Sequence, residues 1–187
     1  MPAWSADRTI VVIGDSLSSG YGLGAEQSWV NMLENQLHGQ AYGYEVVNAS
    51  IAGDTSAGGL ARLPRLLHNH APAIVVIELG GNDGLRGQPV AKLRENLAQM
   101  IGMIQAQSAR ALLTGIQIPP NYGPAYTEAL TEVYFELARQ FDTPLVEFLM
   151  EGVALHPELM QGDGIHPNAA AQEIIFDNVW SVLSELL

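Results

Sequence analysis

A three-layer α/β/α sandwich is the fold class this sequence predicts, and three observations predict it. Strand-like runs and helix-like stripes alternate along the whole chain. The strand-like runs are apolar almost throughout, the mark of strands covered on both faces of a parallel sheet. Each pair of strands is separated by a stretch with helical spacing, as right-handed crossovers require.

Taken in order, Thr9-Ile10-Val11-Val12-Ile13 is β-branched and apolar and stops at Gly14, which makes it the first buried strand. Residues 26–38 follow as a helix with Val30, Leu33 and Leu37 on one face. Tyr44–Ala49 is the second strand. Residues 56–69 carry the stripe Leu60, Leu63 and Leu67, with a kink or broken start expected at Pro64. Ala73–Leu79 is the third strand. Val90–Gln107 is the clearest helix, with Leu93, Leu97, Ile101 and Ile104 in register. Ala111–Ile118 reads as the fourth strand, stopped by Pro119-Pro120, and Tyr126–Phe141 as the next helix. A short fifth strand is expected over Pro144–Phe148 and an irregular segment over Leu149–Ile165. A last helix is expected over Asn168–Leu187, with Asn168 as its cap. No repeat, low-complexity segment or linker interrupts the pattern, so residues 1–187 are read as one domain.

Charge narrows the function classes. Eight basic residues face twenty acidic ones, a formal charge of −12, which disfavours nucleic acid and anionic membrane surfaces as partners. No apolar run approaches the roughly 18 to 20 residues that span a bilayer. Cysteine is absent, which excludes a thiol nucleophile, a cysteine metal site and a disulfide framework. The start, Met1-Pro2-Ala3-Trp4-Ser5, has neither a basic nor an apolar leader region, so no signal peptide is read in this chain; a removed one would leave the same picture. One small domain is expected to be a monomer.

In a parallel α/β sheet ligands bind beyond the carboxyl ends of the strands. The first strand is followed by Gly14-Asp15-Ser16-Leu17-Ser18, the second by Ser50-Ile51-Ala52-Gly53-Asp54, and the third by Gly80-Gly81-Asn82-Asp83. Asp163-Gly164-Ile165-His166-Pro167 precedes the last helix. Acyl transfer needs a serine on a tight turn, a histidine base and a carboxylate that orients it. It also needs hydrogen-bond donors where the oxyanion develops. Ser16 sits at the end of the first strand, and Asp163 and His166 lie three residues apart on one segment. Gly53 offers an unobstructed backbone N–H, Asn82 a side-chain amide, and Ser16 its own N–H as a third donor. Each motif alone has an ordinary turn composition; their joint placement on one sheet edge carries the reading.

These four blocks, in this order, resemble the SGNH hydrolases, also called GDSL-type esterases. Gly20-Tyr21-Gly22, the run Gly53–Gly59 and the run Gly80–Gly87 are similar to one branch, the bacterial thioesterase I, lysophospholipase L1 or arylesterase group. The resemblance implies a flavodoxin-like sheet of five parallel strands. It implies Ser16 as nucleophile, His166 as base, Asp163 as orienting acid, and Gly53 and Asn82 as oxyanion donors. It implies acyl thioesters, lysophospholipids and aryl esters as substrates, no cofactor or metal, and a periplasmic or secreted location. Leu85 and the loop carrying Tyr122 and Tyr126 fall on the same edge and are candidate walls of an acyl pocket.

Other readings are weaker. Ser18 and Ser19 are read as solvated turn hydroxyls, and Asp15, Asp54 and Asp83 as braces of their loops. His68 and His70 have a spacing that suits zinc, but no third ligand is nearby in sequence and a helix C-terminus favours both. Gly20-Tyr21-Gly22-Leu23-Gly24-Ala25 fits a loose dinucleotide template, yet it begins six residues past Gly14, and Glu45 falls at the wrong end of its strand. A non-catalytic flavodoxin-like binding module and a carbohydrate deacetylase on the same fold remain as alternatives.

Overall fold

The computed structural model describes residues 8–40 and 42–187. The leader reading over Met1–Ser5 lies outside the described residues. Five parallel strands form one sheet: β1 (Arg8–Gly14), β2 (Tyr44–Asn48), β3 (Ile74–Glu78), β4 (Arg110–Thr114) and β5 (Leu145–Val146). Their spatial order is β2-β1-β3-β4-β5. This is the doubly wound order in which the chain reverses direction across the sheet between β1 and β3, leaving a crevice at their carboxyl ends. The centre of the sheet is shielded from water: Ile10 to Ile13 and Ile74 to Ile77 are all 0 % exposed. Side chains on both faces of these strands therefore need helices over them.

The helices supply that cover. On one face α1 (Trp29–Gly39) packs on α6 (Gln172–Leu183); on the other, α4 (Val90–Ala106) packs on both α2 (Ser56–His70) and α5 (Pro124–Phe141). Their apolar stripes are the expected ones. Val30, Leu33 and Leu37, then Leu93, Leu97, Ile101 and Ile104, then Leu130, Val133 and Leu137 are buried. No helix among the described residues is long and apolar enough to cross a membrane.

Several elements differ in detail from expectation. The first helix starts at Trp29 rather than residue 26, because the Ser28 side chain caps it by accepting from the Asn31 N–H. α2 runs unbroken through Pro64; the proline lies on the exposed face, where water can take the carbonyl it leaves unpaired. β4 stops at Thr114, not Ile118. Ile116 and Ile118 are buried all the same, with Ile118 packed over the short α3 (Gly81–Leu85), so the apolar run continues as core and not as strand. β5 keeps only its two central residues. Asn168 does cap, accepting from Ala170 N–H, but at a turn of 3-10 helix, Ala169–Ala171, that precedes α6.

Candidate active site

Ser16, Gly53 and Asn82 follow β1, β2 and β3 at their carboxyl ends, and the segment carrying Asp163 and His166 meets them there. Ser16 sits two residues past the end of β1. Asp15 Oδ1 accepts the Leu17 N–H at 3.0 Å, and the Asp15 carbonyl accepts the Ser19 N–H at 3.0 Å, closing a tight turn around Ser16. The indole of the fully buried Trp29 donates to the Leu17 carbonyl at 3.2 Å, so the first helix braces the same turn.

The segment before α6 meets it. His166 Nε2 lies 2.9 Å from Ser16 Oγ, and His166 Nδ1 lies 2.6 Å from Asp163 Oδ2. The other Asp163 oxygen accepts the backbone N–H groups of Ile165 and His166 at 2.9 and 3.0 Å. Those donors, His166 N–H first and the imidazole next, hold the Asp163 carboxyl well below the usual carboxylate range. An ionised Asp163 can only accept, so Nδ1 carries the imidazole proton and Nε2 keeps a lone pair toward the serine hydroxyl. The Tyr21 ring packs on the imidazole with centroids 4.5 Å apart. Gln161 ties the two loops together by donating to the carbonyls of Tyr21 and Pro167 at 2.8 and 3.0 Å.

The Gly53 loop is a reverse turn closed by Asp54 N–H to the Ile51 carbonyl at 3.0 Å. Gly53 has φ +79°, the value a type II turn needs at its third residue, and that choice of turn sets which way the Gly53 N–H points. Arg86 donates to the Gly53 carbonyl at 2.9 Å. Arg62 binds Asp54 at 2.8 Å and also reaches the carbonyls of Ala49 and Gly14, so one guanidinium spans the ends of β1 and β2. Asp83 accepts from Ser56 N–H and Oγ at 2.9 and 2.5 Å, locking α3 to the start of α2. The bracing roles read for Asp15, Asp54 and Asp83 are thus what these side chains do. Asn82, at the start of α3, donates through Nδ2 to Asp15 Oδ2 at 2.8 Å. A primary amide has two such protons, so one stays available.

Ser18 corrects one expectation. It is 0 % exposed and donates to Glu78 Oε2 at 2.8 Å, so it is no solvated hydroxyl. Tyr122 and Tyr126 do meet the Leu85 loop, but through their hydroxyls, which donate to the carbonyls of Leu85 and Gln88 at 2.9 and 2.7 Å. The sequence reading gives Arg62 and Glu78 no role, and it reaches Tyr21 and Arg86 only as members of their motifs. For Glu78 a signal existed: it is the charged end of an otherwise apolar strand.

The family model of the GDSL-like lipase/acylhydrolase family matches residues 12–174, a span that includes every residue of this site. The chain belongs to that family. It is 55% identical to esterase TesA of Pseudomonas aeruginosa over 98% of this chain and 91% of the relative. It is 47% identical to thioesterase 1/protease 1/lysophospholipase L1 of Escherichia coli, over 92% of this chain and 82% of the relative. Among solved structures, the psychrotrophic esterase EstA from Pseudoalteromonas sp., inhibited by monoethylphosphonate, superposes with a TM-score of 0.91 at 41% identity, covering 96% of this chain and 98% of that one. The expected resemblance, fold and enzyme class therefore stand: this is an ester hydrolase of the GDSL-like family on a five-stranded α/β sheet.

Proposed function

We propose that Ser16, His166 and Asp163 act as a catalytic triad that hydrolyses acyl esters and thioesters through an acyl-serine. The observation that carries this reading is the continuous chain of contacts from Ser16 Oγ to His166 at 2.9 Å and on to Asp163 at 2.6 Å. Ser16 Oγ attacks the acyl carbonyl while His166 Nε2 takes its proton. The oxyanion is held by the N–H groups of Ser16 and Gly53 and by the free Asn82 amide proton. His166 returns the proton to the departing alcohol or thiol, and water repeats the attack on the acyl-serine. Inhibition of the relative EstA by a phosphonate fits this cycle, because a tetrahedral phosphorus has the shape of the intermediate.

For the substrate, the named activities of the relatives support acyl thioesters and lysophospholipids, with aryl esters as convenient probes. Leu85, Tyr122 and Tyr126 are proposed to border the acyl chain. Tyr122→Ala is expected to shift the chain-length optimum of kcat/KM by at least one two-carbon step, since each buried CH₂ is worth about 0.8 kcal/mol. An unchanged profile removes these residues from the pocket. A monomer in an extracytoplasmic compartment completes the proposal. It rests on the family resemblance, and light scattering and cell fractionation test it.

The deciding experiment compares initial rates on p-nitrophenyl butyrate, an acyl-CoA, a lysophospholipid and an acetylated sugar. Turnover of the first three at rates above the acetylated sugar supports the proposal. Preference for the sugar ester makes the protein a deacetylase, and no turnover of any of the four overturns the proposed substrate classes. Asn82→Ala is expected to lower kcat by about 10²–10³ with KM little changed, because its amide serves the oxyanion and not the ground state. A kcat within threefold of wild type would remove Asn82 from the oxyanion hole.

A further inference from the structure

Two carboxyl groups are buried beside the nucleophile turn, and the cycle above gives neither a role in handling protons. Asp15 follows β1 and is 2 % exposed; Glu78 ends β3 and is 0 % exposed. The register sets Gly14 opposite Glu78. A methyl group on Gly14 would stand 2.6 Å from Glu78 Oε2, so a glycine is what lets the glutamate tuck under the turn. Glu78 Oε2 accepts from Asp15 N–H at 3.1 Å and from Ser18 Oγ at 2.8 Å, groups that flank Ser16 on both sides. Oε1 is equally buried and meets no donor. Glu78 and Asp15 are thus neighbouring buried acids, joined through the Asp15 N–H.

Burial and like-charge repulsion keep two neighbouring buried carboxyl groups from both ionising, so one of them is neutral. The surroundings decide which. Burial pushes the Asp15 carboxyl up as well, but the Leu17 N–H and the Asn82 amide donate to it and oppose that rise. Glu78 is wholly shielded and faces the Asp15 charge; both push its carboxyl well up. The remaining titratable and charged groups about the pair do not reverse this. Tyr134 of α5 donates to the Leu79 carbonyl, Asp83 of α3 is taken by Ser56, and Arg62 of α2 reaches the Gly14 carbonyl on the same turn. The surroundings favour the proton on Glu78, whose Oε1 receives no donor.

We infer that Glu78 is a positioning residue of this hydrolase: as a neutral acid it donates to the Asp15 carboxylate, and through Asp15 it fixes the Asn82 amide and the turn that carries Ser16. The inference rests on the roles proposed above for Ser16 and Asn82. With Glu78 and Leu17 N–H satisfied, Asp15 is left to hold one proton of the Asn82 amide, which pins its rotamer and leaves the other proton aimed outward. The groups that form the oxyanion site are thereby set before substrate arrives, which is where such a site gains its effect.

Glu78→Gln and Glu78→Ala test this together. Glutamine reproduces the neutral acid: its amide donates to Asp15 and its carbonyl accepts from Asp15 N–H and Ser18. Glu78→Ala is expected to lower kcat about 10- to 100-fold with KM within about threefold of wild type, and Glu78→Gln to restore most of that loss. Infrared difference spectra at neutral pH supply a readout independent of turnover. The wild type is expected to show the carbonyl band of a buried protonated carboxylic acid, which disappears in Glu78→Gln. If the alanine variant does not fold, the glutamine variant and the spectrum decide. A glutamine variant as impaired as a folded alanine one, or the absence of that band, overturns the inference. The spectrum needs no substrate, so its failure is distinct from a failure of the hydrolase reading.

Discussion

Ser16→Ala is expected to reduce kcat on p-nitrophenyl butyrate by roughly 10⁴ to 10⁶, the size of loss found when a triad nucleophile is removed. The expectation follows from where Ser16 sits. Its Oγ is the atom facing His166 Nε2, at 2.9 Å. The neighbouring Ser18 is committed to Glu78 and buried, so it cannot stand in. The fold is expected to survive, because the turn is held by Asp15, Glu78, Trp29 and Asn48, none of which bonds the Ser16 side chain. Thermal unfolding within a few degrees of wild type checks that point. A phosphonate that labels the wild type and leaves Ser16→Ala unlabelled checks the covalent step directly. Equal activity of the two proteins would show that the nucleophile lies elsewhere.

What the sequence discloses, and what it hides, follows from the range of the interactions involved. β1 and β3 are legible because β-branched runs such as Ile10–Ile13 and Ile74–Ile77 have few local alternatives, and the helices because their stripes repeat every three to four residues. The end of β4 is not legible. Ile116 and Ile118 are as apolar as strand residues, and only their packing over α3 shows that they have left the sheet. α3 itself, Gly-Asn-Asp-Gly-Leu, has the composition of a turn and becomes helical under tertiary ties such as Asp83 to Ser56. The triad candidates are legible for a different reason: polar residues stand out when they follow apolar strands on one edge. The link from Glu78 to Asp15 spans 63 residues and depends on adjacent strand register, which no local pattern encodes. The packing of the Tyr21 ring on His166 is hidden in the same way, since the Gly20-Tyr21-Gly22 motif does not say which distant side chain it meets.

Asp163→Asn separates the orientation of the base from the integrity of its loop. Asparagine keeps an oxygen where Asp163 Oδ1 accepts the Ile165 and His166 N–H groups, so the turn is expected to hold. At the position of Oδ2 it places an amide, 2.6 Å from a nitrogen that now donates. Two donors cannot face each other, so the imidazole must release its Nδ1 proton and carry it on Nε2. That tautomer presents N–H to Ser16 and has no lone pair to take the hydroxyl proton. In a fully buried protease triad the same exchange lowers kcat by about 10⁴. Here the Asp163 side chain is 40% exposed, and water can reorient about the mismatch, so a loss of about 10² to 10⁴ in kcat is expected at neutral pH. The low-field proton resonance of an imidazole Nδ1–H bonded to a carboxylate should vanish with it. Asp163→Ala provides the contrast, because it removes the acceptor of both backbone N–H groups and should lower thermal stability as well as kcat. A kcat within threefold of wild type in Asp163→Asn would mean that His166 finds its working tautomer unaided, and that Asp163 serves the loop alone.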